Sequence, residues 1–157
     1  MTAAPRAARR GRGLARTTGN PLALGYKAFC LRNQDRYVQY ARARSLEPGR
    51  ARAVVESVLQ ALVEQWPRIM SGDRPASEAW KVLVSHVAAA ARDTQVAPGG
   101  HGRDTVHRTL PGQQADIVLL RYRLSLSTAE TADLMGLGVP EVTASLRRGM
   151  SILLNPA

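Results

Sequence analysis

The sequence has little cysteine, few histidines and no long apolar run. Cys30 is the single cysteine among 157 residues, so no internal disulfide can form. The histidines at positions 86, 101 and 107 are scattered and show no metal-ligand spacing. No apolar stretch approaches the roughly 20 residues that cross a bilayer, and the arginine-rich start has no apolar signal-peptide core. These absences argue against a disulfide scaffold, a metal site and a membrane protein, and they favour a cytoplasmic chain.

The chain also lacks the residue groupings of common catalytic sites. No Ser/His/Asp arrangement, carboxylate pair or nucleotide-binding loop is visible in the sequence. The glycines at positions 99, 100 and 102 do not follow a strand pattern, and no helix with Lys-Ser/Thr follows them, as a phosphate loop requires. We therefore expect neither an enzyme nor a bound cofactor.

Acidic residues are scarce relative to basic ones, and the excess is unevenly distributed. The chain has 22 Lys+Arg against 12 Asp+Glu, a formal net charge of +10. Residues 1–25 hold five arginines and no acid, residues 26–92 hold eleven basic and six acidic residues, and the remainder is balanced. Such a field attracts a polyanion, either nucleic acid or an anionic membrane surface. Because no amphipathic helix rich in large apolar residues adjoins the arginines, we expect no membrane binding.

The composition and apolar spacing divide the chain into four parts. Residues 1–25, rich in Ala, Arg, Gly and Thr, are predicted to be a disordered basic arm. Residues 26–92 have helical spacing in three stretches, of which 53–66 is the strongest, with residues 67–77 as a loop. Residues 93–109 have the composition of a flexible linker. Residues 110–157 are predicted to form the last module.

This last module has the outline of a helix-turn-helix. Ser127 and Glu130 have capping-box spacing, which predicts a helix start at this point. Gly136 is predicted to end that helix, and Pro140 suits the first turn of the next one. The sequence therefore predicts an all-α fold with two small helical modules joined by a flexible linker, the second being a helix-turn-helix.

Both modules resemble regions of one protein family. The second, through Leu110-Pro, Ile117-Val-Leu-Leu-Arg-Tyr, Ala129-Glu and Leu134-Met-Gly-Leu, resembles region four of sigma-70 factors of the extracytoplasmic-function type. The first, through Phe29, Tyr37, Tyr40-Ala-Arg, Val54–Leu62 and Ala79-Trp80, resembles region two of the same factors. The two resemblances occur in the order that this family has, with a linker between them.

The resemblance implies a bacterial transcription initiation factor that binds core RNA polymerase, promoter DNA and, as a further partner, an anti-sigma factor. It implies polymerase contacts on one helix of the first module, at Val54, Val55, Glu56, Ser57 and Leu59. It implies DNA contacts in both modules, at Trp80, Lys81, Pro140, Glu141, Thr143, Ala144, Arg147 and Arg148. Trp80 also suits a second interpretation, that of a buried core residue.

Several positions depart from the family pattern. Ala53, Glu56 and Ser57 replace polar residues that the family uses to contact polymerase, and Val87 and Ala91 replace an Asn and an Asp in the helix that binds the −10 element. In the last helix, Glu141 and Thr143 replace Thr and Lys, which removes a cation and adds an acid near the DNA.

These departures leave three hypotheses open. The chain is either a working sigma factor, or a degenerate relative that binds polymerase or a sigma regulator without opening promoters, or a stand-alone helix-turn-helix regulator. Tight binding to core polymerase would eliminate the third hypothesis.

Overall fold

The computed structural model describes residues 21–95 and 105–155, and every regular element within these ranges is a helix. The seven helices are α1 (Pro21–Ala43), α2 (Pro48–Met70), α3 (Pro75–Gln95), α4 (Thr105–Thr109), α5 (Gly112–Tyr122), α6 (Thr128–Met135) and α7 (Val139–Leu154). The predicted all-α class is confirmed. Most of the predicted basic arm, residues 1–20, lies outside the described residues, as do residues 96–104 of the predicted linker.

The helices of the first module, α1 to α3, are longer than the sequence pattern predicts. Helix α1 begins at Pro21, inside the predicted arm, because the Tyr26 and Phe29 rings of its early turns pack on Trp66 at centroid distances of 5.4 and 5.2 Å. Helix α2 continues past Pro67 to Met70, although that segment was predicted to be a loop. A proline removes one backbone donor, and here the buried Ile69 anchors the final turn after it.

The few aromatic residues of the chain are concentrated in the core of this module. Tyr37 and Tyr40 of α1 are fully buried, and their rings lie 6.0 and 4.7 Å from the ring of Trp80 on α3. Trp66 of α2 extends the cluster towards the start of α1. Such tilted and edge-to-face pairs are favourable beyond the apolar area they bury. A chain with 4% aromatic residues therefore forms one well-packed aromatic core.

The second module, α4 to α7, is organised around α5. Six consecutive residues of this helix, 115–120, are buried, so α5 has no continuous solvent face over this stretch. Helix α7 packs against it closely, since a Cβ atom built on Gly149 would lie 3.2 Å from Val118 Cγ2. A helix that is apolar all round must pack against neighbours on more than one side. In this molecule the neighbours of α5 are α4, α6 and α7 of the second module and α1 of the first module.

The two modules share one hydrophobic core. Buried residues of α1 and α3 form a single cluster with residues of α5, α6 and α7. At the edge of this contact Arg36 donates to Glu130 at 2.6 Å, and Arg32 lies 3.5 Å from Asp133. The Gly136 turn lies directly on the first residues of α3, because a Cβ atom there would be 2.2 Å from the Ser77 nitrogen. The described parts of the two modules are therefore packed together as one body.

No helix within the described ranges is both long enough and apolar enough to span a membrane. Within the same ranges, no group of three or more His, Cys, Asp or Glu side chains could hold a metal ion.

Candidate DNA-binding surface

The turn between α6 and α7 is built by local hydrogen bonds. The Ser127 hydroxyl accepts from the Glu130 N–H at 3.0 Å, and the Glu130 carboxylate accepts from the Ser127 N–H at 2.9 Å, which confirms the predicted capping box. Helix α6 ends at Gly136, whose φ of 68° is in the left-handed region that glycine adopts without strain. These features fix the entry into α7.

Helix α7 has one buried face and one exposed face. Val142, Ser145 and Gly149 are buried, and this spacing places them on one side of the helix. The other side contains every residue of this helix that the sequence predicted to contact DNA. We call this exposed set the recognition face: Pro140, Glu141, Thr143, Ala144, Arg147 and Arg148. A helix-turn-helix presents such a face, and mainly its N-terminal residues, to the major groove.

The charges of the recognition face are opposite at its two ends. At its C-terminal end, Arg147 and Arg148 are exposed, and the Arg148 guanidinium donates to Ser145 Oγ at 3.3 Å. At its N-terminal end Glu141 Oε1 accepts from the Gly138 N–H at 3.2 Å, and it lies 3.6 Å from Arg74 Nη2 of the first module. The acid that departs from the family pattern therefore caps its own helix and has a cationic neighbour.

Trp80, the predicted DNA contact of the first module, lies inside the protein. Its exposed fraction is 5%, and its indole N–H donates to Asp116 Oδ2 at 3.3 Å. A base cannot stack on a buried ring that packs against Tyr37 and Tyr40 and donates to Asp116 of α5. In this conformation Trp80 fits the second interpretation, that of a core residue. The neighbouring Lys81 is exposed and lies 3.7 Å from Glu78.

The partner of Trp80 is part of a polar cluster that the sequence did not predict. Asp116, only 3% exposed, accepts from the Tyr40 hydroxyl at 2.6 Å, and His107 Nε2 of α4 lies 2.6 Å from the same carboxylate oxygen. We call these residues, with Trp80, the Asp116 cluster. Burial, and secondarily the Asp116 charge, raises the pKa of Tyr40 well above 10.0, so its hydroxyl remains a donor. The cluster thus joins α1, α3, α4 and α5.

One sequence signal could have pointed to this cluster. Asp116 immediately precedes the apolar run Ile117–Leu120, so it lies in a helix that the pattern predicts to be buried. A buried carboxylate needs hydrogen-bond donors around it. The sequence did not indicate which donors, because Tyr40 is 76 residues away.

The predicted polymerase contacts divide between the surface and the core. Glu56 and Ser57 are exposed on α2, and Val54 is half-buried. Val55 is fully buried and Leu59 is 9% exposed, so in this conformation both pack inside the first module. Their side chains pack in the core and are not exposed for contact with polymerase.

The two altered positions of the −10 helix also lie in the core. Val87 is fully buried on α3, and Ala91 is almost fully buried. The apolar residues at these positions therefore have a packing role in this chain. An Asn or an Asp at either position would need a buried hydrogen-bond partner.

Part of the chain is similar to a known protein family. Residues 104–153 match the family model of sigma-70, region 4. Curated proteins provided no match to the sequence. The matched residues include α4 to α6 and most of α7, and so contain the whole recognition face. The second module is therefore similar to sigma-70 region 4, and this similarity supports a sigma-factor-like, DNA-binding role in transcription.

Proposed function

We propose that the protein is a sigma-factor-like regulator of transcription initiation in the bacterial cytoplasm. In this proposal α7 binds duplex promoter DNA through the recognition face, and the first module binds core RNA polymerase through the exposed side of α2. An anti-sigma factor is the further partner that the proposal includes. The polymerase supplies the RNA chemistry, and no catalytic or cofactor role is proposed for this chain.

The observation that carries the proposal is the recognition face on a region 4 helix-turn-helix. Its residues are exposed together on one side of a helix whose other side is held in the core by Val142 and Gly149. Arg147 and Arg148 provide two cations for phosphate contacts beside the residues that would face base edges. A duplex has the shape and the charge that this surface accommodates.

The DNA contact can be tested by the salt dependence of duplex binding. The double variant Arg147→Ala/Arg148→Ala removes two cations from the recognition face, whereas Arg52→Ala/Arg68→Ala removes two exposed cations from α2. Fluorescence anisotropy with a labelled duplex should show weaker binding and a salt slope about 2 smaller for the first variant, since each phosphate contact contributes about 0.9. Equal affinities for both variants and the native chain would remove the recognition face from the proposal.

The polymerase contact can be tested by co-elution with core RNA polymerase on size exclusion. Ser57→Arg places a large cation on the exposed side of α2, and Ser151→Arg makes the same change on exposed α7 surface. We expect the native chain and Ser151→Arg to co-elute with core polymerase, and Ser57→Arg to elute separately from it. Failure of the native chain to co-elute would favour the stand-alone DNA-binding regulator.

A second candidate function is favoured by the position of Trp80. A tryptophan held in the Asp116 cluster is not available to a separated DNA strand. This supports a sigma-related protein that binds polymerase or a sigma regulator without opening promoters. Permanganate footprinting of a promoter bound by core polymerase and this chain separates the candidates, because only an opened promoter has reactive unpaired thymines.

A further inference from the structure

The first residues of α3, with the loop before them, lie against the turn between α6 and α7. The backbone of Ala76 and Ser77 contacts the Gly136 turn so closely that a Cβ atom on Gly136 would be 2.8 Å from the Ala76 carbonyl carbon. This contact continues into the core that the two modules share. The first module therefore places the start of α3, and the loop residue just before it, beside the start of α7.

Arg74 is the loop residue that reaches α7. Its Nη2 atom lies 3.6 Å from Glu141 Oε1, in the first turn of α7, and its side chain is 61% exposed. A guanidinium has five N–H donors, so the contact with one carboxylate leaves donors for a second anion. The pairing with Glu141 thus positions a solvent-facing cation at the N-terminal end of the recognition face.

The recognition face itself has no cation at this end. Its arginines are Arg147 and Arg148, almost two turns further along α7, and the residue of its first turn that has a charge is Glu141. The N-terminal end of a recognition helix enters the major groove between two phosphate backbones, where an uncompensated carboxylate would be repelled. Arg74 provides the missing positive charge at this point.

The shape of the surroundings favours duplex DNA over a single strand. Single-strand sites combine cations with exposed aromatic rings, and both tryptophans of the chain, Trp66 and Trp80, are buried. Neither the recognition face nor the loop residues 71–74 include an aromatic side chain. Such an arrangement fits the phosphate backbone of an intact duplex.

We propose that Arg74 of the first module is a phosphate contact of the same duplex DNA that α7 binds. The DNA surface of this protein then extends beyond the region 4 domain and includes a residue from the module before it. This inference rests on the proposed function, since it requires α7 to bind duplex DNA.

The test is the salt dependence of duplex binding by the full chain, measured by anisotropy over a series of KCl concentrations. Arg74→Ala should weaken binding to any duplex sequence and reduce the salt slope by about 1, and Arg74→Lys should retain the slope. The matched control is Arg52→Ala, an exposed arginine near the other end of α2, about 27 Å along the helix from Met70. This control should leave the slope unchanged.

A second comparison separates a direct phosphate contact from simple neutralisation of Glu141. In a Glu141→Gln background, Arg74→Ala should still reduce the salt slope by about 1. A slope that no longer changes in that background would overturn the inference, as would a slope unaffected by Arg74→Ala in a chain where Arg147→Ala reduces it. If neither Arg74→Ala nor Arg147→Ala alters duplex binding, the proposed DNA function fails together with the inference. Matching thermal unfolding curves for all variants exclude a loss of fold.

Discussion

The recognition face and the region around Trp80 differ in one decisive respect, which is their access to solvent. The resemblance to sigma factors assigned DNA contacts to both. In the second module every predicted residue of α7 lies on exposed surface, whereas in the first module Trp80 is covered by Tyr40 and bonded to Asp116. A family resemblance identifies which positions correspond, but the packing of this chain decides which of them can reach a partner.

The difference has its physical origin in α5. This helix is buried over residues 115–120, with α7 on one side and the aromatic core of the first module on another. The contact that covers Trp80 therefore also supports α7. Large apolar interfaces of this kind hold two units in a fixed arrangement. Disturbing α5 should therefore affect both regions, whereas disturbing the surface of α7 should affect only one.

The largest expected effect comes from Asp116→Ala. Tyr40 and Trp80 would lose their acceptor while they stay buried, and each unsatisfied donor costs about 1–3 kcal/mol. We expect a loss of about 3–5 kcal/mol in the free energy of unfolding. Urea denaturation followed by circular dichroism measures this loss.

Asp133→Ala is the matched control for that change. Asp133 is exposed and its partner Arg32 lies 3.5 Å away at the edge of the same contact between modules. Removing this exposed ion pair should lower the free energy of unfolding by less than about 1 kcal/mol. If the two aspartate variants are equally stable, the Asp116 cluster does not hold the modules together.

A smaller effect is expected from Gly136→Ala at the turn between α6 and α7. The positive φ of Gly136 disfavours any side chain, and the new Cβ atom would meet the backbone of Ser77 at 2.2 Å. Since strain and overpacking add, we expect a loss of about 3 kcal/mol. Differential scanning calorimetry reports the change as a lower Tm.

Gly49→Ala is the control, because this substitution should stabilise the protein. Gly49 lies in the first turn of α2, and a Cβ atom there would have no neighbour within 4 Å. We expect a gain of about 0.5–1 kcal/mol, because alanine loses less backbone freedom on folding. A Gly136→Ala variant as stable as Gly49→Ala would mean that the turn does not press on the first module.

The smallest expected effect is a change with pH in the stability that the Glu130 carboxylate provides through its contacts with Ser127 and Arg36. Hydrogen bonds from the Ser127 backbone and side chain, with the nearby Arg36 guanidinium, lower the pKa of Glu130 below its usual 4.5. A lowered pKa means that the folded state favours the ionised carboxylate, so the stabilisation is present above pH 4.5 and is lost as the pH falls through the lower value. The stability advantage of the native chain over Glu130→Gln should therefore shrink on acidification.

Glu64→Gln on the exposed side of α2 controls for the loss of one carboxylate. Urea unfolding of the native chain and both variants, at neutral pH and at a series of acidic values, provides the comparison. An advantage over Glu130→Gln that does not depend on pH would rule out the Glu130 contacts as its source.

The local features of the fold were largely predictable from the sequence. The Ser127 and Glu130 capping box and the Gly136 break are encoded by residues within one turn of each other, and the structure confirms them. The helix ends were less predictable. Pro21 and Met70 became helical because of tertiary contacts of Trp66 and Ile69, and local composition has no information on such contacts.

The contact between the modules was not predictable in the same way. The apolar run Ile117–Leu120 indicates a buried helix, but it does not specify what covers it. The pairings of Asp116 with Tyr40 and of Glu141 with Arg74 join residues far apart in the chain. Nothing in the sequence around these residues indicates which of them have a partner and which are solvated. Trp80 was therefore predicted to contact DNA from the resemblance alone, and no role was predicted for Arg74.

We propose that this protein binds DNA through α7 while Trp80 stays buried between the modules. The most direct test is acrylamide quenching of the intrinsic fluorescence of the native chain, whose two tryptophans are 4% and 5% exposed. We expect weak quenching in the free protein and the same weak quenching when a duplex is bound. Strong quenching of the free protein, or a change in tryptophan emission when a single strand binds, would contradict it.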